Sequence, residues 1–170
     1  MTRPPENSTR KSTRKALYTA DERARRDSSP WTLVQGILAP LQFLAFAVSL
    51  VLVARYLLTG AGYEAATVSI LVKTGFLYVI MVTGAIWEKV VYGQYLFAPA
   101  FFWEDVFSFL VIGLHTAYLW ALWTGALSPT DLMLLALAAY AAYVINAVQF
   151  ILKLRHARLD GGADHGGVTA

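Results

Sequence analysis

The stretch 96–114, LFAPAFFWEDVFSFLVIGL, decides how this chain is read. It is apolar and aromatic over enough residues to enter a bilayer, yet it carries Glu104 and Asp105 side by side. An ionised carboxylate is costly to keep in hydrocarbon, so acidic residues inside such a segment are functional candidates by default. The preceding apolar segment repeats the signal: Glu88 and Lys89 follow Trp87 in TGAIWEKVVYG, and Lys73 lies further back in SILVKTGF. Acid chemistry at or inside a membrane is the first hypothesis these residues raise.

Composition points the same way. Hydrophobic residues make up 57% of the chain and charged residues 15%, with a mean hydropathy of +0.51, more apolar than a soluble domain needs for its core. With no cysteine, disulfides, thiolate nucleophiles, cysteine-ligated zinc and iron–sulfur clusters are excluded. Neither a Gly-rich dinucleotide fingerprint nor a phosphate loop is present. The expectation is chemistry without a redox cofactor.

The first 30 residues are polar and rich in Ser, Thr and Arg, unlike a secretory signal, which turns apolar much sooner. Four spanning segments follow, over 31–58, 64–91, 99–124 and 132–154, each near the ~20 residues a bilayer requires. Helices are the expected form, because hydrocarbon offers no water to satisfy open backbone groups. The fold class is therefore all-α: an integral membrane bundle of four transmembrane helices. Residues 1–30 read as a basic polar cytoplasmic extension, 31–155 as the transmembrane domain and 156–170 as a flexible cytoplasmic tail.

Twelve of the fourteen Lys and Arg residues fall on one side of this topology: eight before the first span, Lys89 between the second and third, and Lys153, Arg155 and Arg158 at the end. The positive-inside rule then places both termini in the cytoplasm, as an even number of spans requires. A basic arm beside a span is expected to meet anionic lipid headgroups rather than nucleic acid. Connections on the opposite side, LTGAGYE and TGALSPT, are short and leave little room for an external domain. No internal repeat supports an inverted-repeat transporter.

Helical geometry sorts the polar residues. Glu104, Ser108 and His115, spaced i, i+4, i+11, lie within about 40° of one another, whereas Asp105 is turned about 100° away. Glu88, on the antiparallel neighbour, reaches a depth similar to Glu104, so those two make the better acid/base pair. Lys73 lies about 22 Å along its helix from Glu88 and is expected to snorkel to the outer surface. Lys89 has the same snorkelling reading at its own interface. His115 is open to three roles: proton shuttle, axial ligand to a macrocycle's metal, or interhelical hydrogen bonding; a lone histidine builds no metal site.

Gln42 pairs by spacing with Gln35, and Asn146 with Gln149; interhelical hydrogen bonding is the plainest account of such amides. Pro40 is expected to kink the first span and open a cleft beside Gln42. Ala138, Ala139, Ala141 and Ala142 suit close helix packing. Most Trp and Tyr residues fall near span ends, where aromatic belts anchor helices. Even so, Trp87, Tyr92, Tyr95, Phe101, Phe102 and Trp103 crowd the acidic residues and offer a wall on which a flat conjugated ligand can stack.

At these residues the chain resembles the 3-vinyl (also called 2-vinyl) bacteriochlorophyllide hydratases of bacteriochlorophyll biosynthesis. The stretches that carry the resemblance are LYTADERARRDSSPWTLVQGILAPLQFLAF, TGAIWEKVVYGQYLFAPAFFWEDVFS, LHTAYLWALWTGALSPTDLMLLALAAYAAYV and NAVQFILKLRHARL. They cover nearly all of residues 17–159, and W-E-K with F-F-W-E-D around Y-L-F-A-P is specific as a group. The resemblance implies addition of water across the ring A vinyl group of a chlorophyllide or bacteriochlorophyllide, in the inner membrane of a photosynthetic bacterium. It implies a magnesium tetrapyrrole as substrate, the bilayer as surroundings and other pigment-biosynthesis enzymes as candidate partners.

The residues suit that chemistry. Protonating the terminal vinyl carbon places charge next to a macrocycle that delocalises it, and water then attacks there. A carboxylic acid in apolar surroundings keeps its proton near neutral pH, and a second carboxylate nearby strengthens that hold. Glu104 is read as the acid and Glu88 as the group holding water, with Asp105 and His115 orienting or relaying protons. Substrate contacts are expected from the aromatic wall, Lys89, Gln42, Asn146 and Gln149, with no cofactor and no protein-held metal. Two other classes compete: a non-enzymatic tetrapyrrole-binding or photosystem assembly protein, and a small transporter using the carboxylates as a relay.

Overall fold

A computed structural model describes residues 17–163 of the chain, with side chains up to Arg155. Five helices account for nearly all of them: α1 (Ala20–Ser28), α2 (Pro30–Thr59), α3 (Tyr63–Tyr92), α4 (Phe102–Thr124) and α5 (Pro129–Ala163). The four long helices are apolar enough to cross a membrane, α5 over Pro129–Arg155. At 1.5 Å per residue the shortest of them, the 23 residues of α4, extends about 35 Å, enough for a hydrocarbon core of ~30 Å.

Local chemistry sets the breaks. Ser29 caps α2, its Oγ accepting the Trp31 N–H at 3.2 Å, and Pro30 takes the first helical position, where no N–H is needed. Gly93 ends α3 in the left-handed conformation, φ +86°, and donates its N–H to Lys89 O. α1 was not expected as a helix. Its signature is nevertheless local: the Thr19 Oγ1 accepts from Glu22 N, and the Glu22 carboxylate accepts from Thr19 N, a capping box readable as T-x-x-E.

α4 begins at Phe102 rather than at 99, because the chain before it folds back as a loop. α2 stays helical through Pro40, which lies on the exposed side, and Gln42 is buried within the bundle rather than beside an open cleft. Of the alanines marked for packing, Ala139 and Ala142 are buried while Ala138 and Ala141 face outward. All four cannot share one helix face at 100° per residue.

The long helices form two antiparallel pairs, α2 with α3 and α4 with α5. Within the first, Gln35 Nε2 donates to Thr83 Oγ1 at 2.8 Å and the Ser49 and Ser69 hydroxyls meet at 2.7 Å. Within the second, Asn146 Nδ2 donates to Ser108 Oγ at 2.8 Å. Between the pairs lies an apolar core of Phe46, Val53, Ile70, Tyr118, Met133 and Tyr140. Outward-facing residues such as Leu33, Phe43, Val51 and Val68 are apolar too, as lipid contact requires. This topology collects α1, the start of α2, the α3–α4 loop and the end of α5 at one end, here called the basic end.

Candidate active site

The α3–α4 loop and the three helix ends around it bring the acidic residues together. Glu88, Glu104 and Asp105 are all buried, 4–6% exposed. The 100° between Glu104 and Asp105 has a structural meaning, since α4 sits between two neighbours: Asp105 turns toward α3 and Glu104 toward α5. The Asp105 and Glu88 carboxyls lie within hydrogen-bonding reach of each other, whereas Glu104 stands farther off. Two carboxyl groups can share a hydrogen bond only when one of them carries the proton. The contact the sequence pattern favoured, Glu88 with Glu104, is thus replaced by Glu88 with Asp105.

Glu104 has a different partner. Lys153 Nζ donates to its Oε2 at 2.5 Å and also to the carbonyl of Ala100, with the Phe101 ring 5.0 Å beneath the ammonium. Lys153 was counted in the sequence only as a basic flank residue. One signal for it exists, the i, i+4, i+7 series Asn146, Phe150, Lys153 on one face of α5, although nothing local says that this face meets Glu104.

The loop backbone closes over the carboxyl pair. Phe97 N–H donates to Asp105 Oδ2 at 2.6 Å, and the next N–H, of Ala98, donates to Glu88 Oε2 at 3.3 Å. Two successive amides aimed at one acidic cluster form a small anion-holding concavity. Phe97 adopts φ +59°, the only positive φ among described non-glycine residues. A bulky residue held in that region marks local strain sustained by its surroundings, here by the two carboxyl acceptors.

The expected aromatic wall is two sets of rings. An inner set packs edge to face, with Trp87–Phe101 at 5.7 Å and Tyr92–Phe101 at 5.8 Å, and continues to Phe150, stacked on Phe101 at 5.7 Å, and to Tyr18, stacked on Tyr92 at 5.9 Å. Trp87 Nε1 is anchored on Thr32 Oγ1 at 2.9 Å. Arg26 lies over the Tyr18 ring, and burial raises the Tyr18 phenol above its ordinary pKa, so it remains a neutral hydroxyl. An outer set, Tyr95, Phe102 and Trp103, is exposed, and Phe102 meets Phe97, which stacks on Phe109 at 5.5 Å. Lys89 belongs outside, with its ammonium on Gly93 O and near the Tyr95 ring.

His115 does not join the carboxyls. Eleven residues after Glu104, it lies about 16 Å further along α4. Its Nδ1 faces Val111 O at 2.7 Å and its Nε2 faces Lys73 Nζ at 2.5 Å. A carbonyl can only accept, so Nδ1 carries the proton and Nε2 accepts from Lys73. Both nitrogens are engaged, which removes the free lone pair an axial ligand needs. Lys73, expected to snorkel, is instead fully buried, with Tyr140 and Tyr143 rings at 5.0 and 4.4 Å from its ammonium. The imidazole and two ring faces replace the water it would otherwise seek at the surface.

The amides divide as well. Gln35 and Asn146 make interhelical bonds, to Thr83 and Ser108. Among the described residues, Gln42, 2% exposed, has no partner for either side-chain atom, and Asn146 Oδ1 and Gln149 Oε1 are likewise unpaired. An apolar groove between α2 and α3, bordered by Leu44, Val48, Leu52, Val68 and Phe76, lies away from all these groups.

Fold and site together define an integral membrane protein of helices with a buried cluster of three carboxyl groups at one end. The family described as 2-vinyl bacteriochlorophyllide hydratase (BCHF) matches residues 18–156. The chain is 72% identical over 162 residues to the 2-vinyl bacteriochlorophyllide hydratase of Rhodobacter capsulatus, covering 95% of this chain and 94% of that one. It is 74% identical over 145 residues to the protein of that name from Cereibacter sphaeroides, covering 85% and 89%. The chain belongs to the 2-vinyl bacteriochlorophyllide hydratase family. No solved structure gives a significant match.

Proposed function

We propose that this chain is a hydro-lyase that adds water to the ring A vinyl group of a bacteriochlorophyllide or chlorophyllide, giving the 1-hydroxyethyl side chain. Membership of the hydratase family supports the reaction. The observation that supports the chemistry is the placing of the buried Glu88 and Asp105 carboxyls under successive loop amides inside an apolar bundle, where one proton between them is the arrangement the mechanism uses.

The proton passes from the Glu88–Asp105 pair to the terminal vinyl carbon, breaking the π bond and leaving a cation on the carbon attached to the ring. Water adds to that carbon, and its released proton goes to Glu104, the carboxylate paired with the Lys153 ammonium. Return of that proton from Glu104 to the Glu88–Asp105 pair closes the cycle, with one water consumed and no net proton. These roles exchange those the sequence pattern suggested for Glu104 and Glu88. The amides at 97 and 98 steady the carboxylate formed when the proton leaves. The outer rings, with Phe97 at their centre, offer the flat pigment a surface reachable from lipid.

Both termini lie on the cytoplasmic side of the inner membrane, where the basic residues meet anionic headgroups. The extension 1–30 then borders the spanning domain 31–155 through α1, whose Arg25 Nε donates to Val91 O at 2.9 Å. Residues 1–16 and 164–170, covering most of the arm and half of the tail, lie outside the described residues. The deciding experiment supplies vinyl chlorophyllide to membranes containing the chain and follows product mass and spectrum. Mass should rise by one water, and the long-wavelength band should move to shorter wavelength as the vinyl group leaves conjugation. Pigment bound but chemically unchanged would replace this reading with that of a pigment carrier.

A further inference from the structure

We infer that Gln42, Asn146 and Gln149 form a water-binding site that feeds the nucleophilic water to the carboxyl cluster, an inference that rests on the hydration reaction proposed above. The reaction needs a water molecule at a defined place inside a region otherwise lined by hydrocarbon. Four buried side-chain atoms toward the basic end have no hydrogen-bond partner among the described residues: Gln42 Oε1 and Nε2, Asn146 Oδ1 and Gln149 Oε1. Buried polar atoms are nearly always hydrogen-bonded, and roomy polar sites are satisfied by ordered water.

Register places these atoms together and next to the site. Phe46 on α2 meets Tyr143 on the antiparallel α5, ring centroids 5.0 Å apart. Gln42 precedes Phe46 by four residues and Asn146 follows Tyr143 by three, so both lie about one turn toward the basic end from that contact, on the faces that make it. Asn146 is tied to Ser108, four residues after Glu104 on the same face of α4. Gln149 lies four residues before Lys153, which holds Glu104. Along α5, Gln149 therefore sits about 6 Å and Asn146 about 10 Å inward from Lys153, and the Ser108 partner of Asn146 about 6 Å inward from Glu104 on α4.

Their chemistry suits water better than a structural role. Water donates twice and accepts, so one molecule bridges two of the three amide oxygens while accepting from the amide N–H₂. Direct pairing of Gln42 with Asn146 would satisfy both, and it is not made. Exchanging oxygen and nitrogen in Gln42 changes nothing, since neither atom has a partner. In Asn146 one atom stays open whichever of the two faces Ser108.

Gln42→Leu is the clean test, because it removes no protein hydrogen bond. Full-length protein in membranes, equilibrated in D₂O, is given the vinyl pigment, and deuterium is located in both product and recovered substrate. In wild type the cation is captured by water, so recovered substrate gains little deuterium. In Gln42→Leu the cation still forms but waits for water and loses a proton from its methyl group instead. The terminal vinyl carbon of recovered substrate then gains deuterium, and the ratio of exchange to hydration rises by about tenfold, the effect of losing roughly one water-holding hydrogen bond. Pigment affinity and thermal stability stay close to wild type, since no protein hydrogen bond is lost.

Asn146→Leu should behave alike in the exchange ratio, with lower stability from the lost Ser108 bond. Exchange and hydration that fall in parallel in both variants, unchanged hydration in both, or loss of pigment binding would each overturn the water site. Wild-type hydration in the same assay tests the parent reaction separately, so a failure confined to the variants counts against the water site alone.

Discussion

Replacing Glu88 by Gln separates the proton from everything else this side chain does. The Glu88 carboxyl accepts the Ala98 N–H at 3.3 Å and faces the Asp105 carboxyl. Gln keeps both contacts, accepting through its oxygen and donating through its nitrogen to an ionised Asp105, but it has no proton to transfer. Stability should stay within about 1 kcal/mol of wild type, the net worth of one ordinary hydrogen bond. Turnover should fall by ~10² to 10⁴, the usual contribution of a positioned acid, while pigment affinity is kept. Glu88→Ala is the contrasting case. It strands the buried Ala98 amide and leaves Asp105 without its partner, costing about 2–4 kcal/mol for two unsatisfied buried groups. Turnover by absorbance, affinity by pigment titration and thermal unfolding in detergent distinguish the two. Wild-type turnover in both Glu88→Gln and Asp105→Asn would refute the shared-proton mechanism.

Lys153→Met should lower turnover and cost about 1–3 kcal/mol, less than for a fully buried pair because the lysine is 26% exposed; unchanged melting and activity together would show that the ion pair does nothing for Glu104. Lys73→Met should cost about 1–3 kcal/mol by leaving His115 Nε2 unpaired, with recovery in the double variant Lys73→Met/His115→Leu and normal turnover per folded molecule in both; a double variant as unstable as the single would contradict this account. Reporter fusions at the two termini should both read cytoplasmic, and a periplasmic signal from either would overturn the proposed orientation.

Much of the architecture was legible in the chain itself. Long apolar runs in hydrocarbon have no alternative to helix, so four spans and their order follow from length and composition alone. Even α1, unforeseen, is written locally in Thr19 and Glu22. Acidic residues in apolar segments stood out one by one because each is expensive where it lies. Which of them touch depends on how helices rotate against one another, a sum over many weak packing contacts that no short stretch contains. Asp105 rather than Glu104 meets Glu88 because α4 lies between α3 and α5 and its two adjacent acids point to different neighbours. The same cause hides Lys153, which reaches its carboxylate from 49 residues away, and buries Lys73 against His115 from 42 residues away. Helical periodicity fixes which side chains share a face of one helix; only the assembled bundle decides what that face meets.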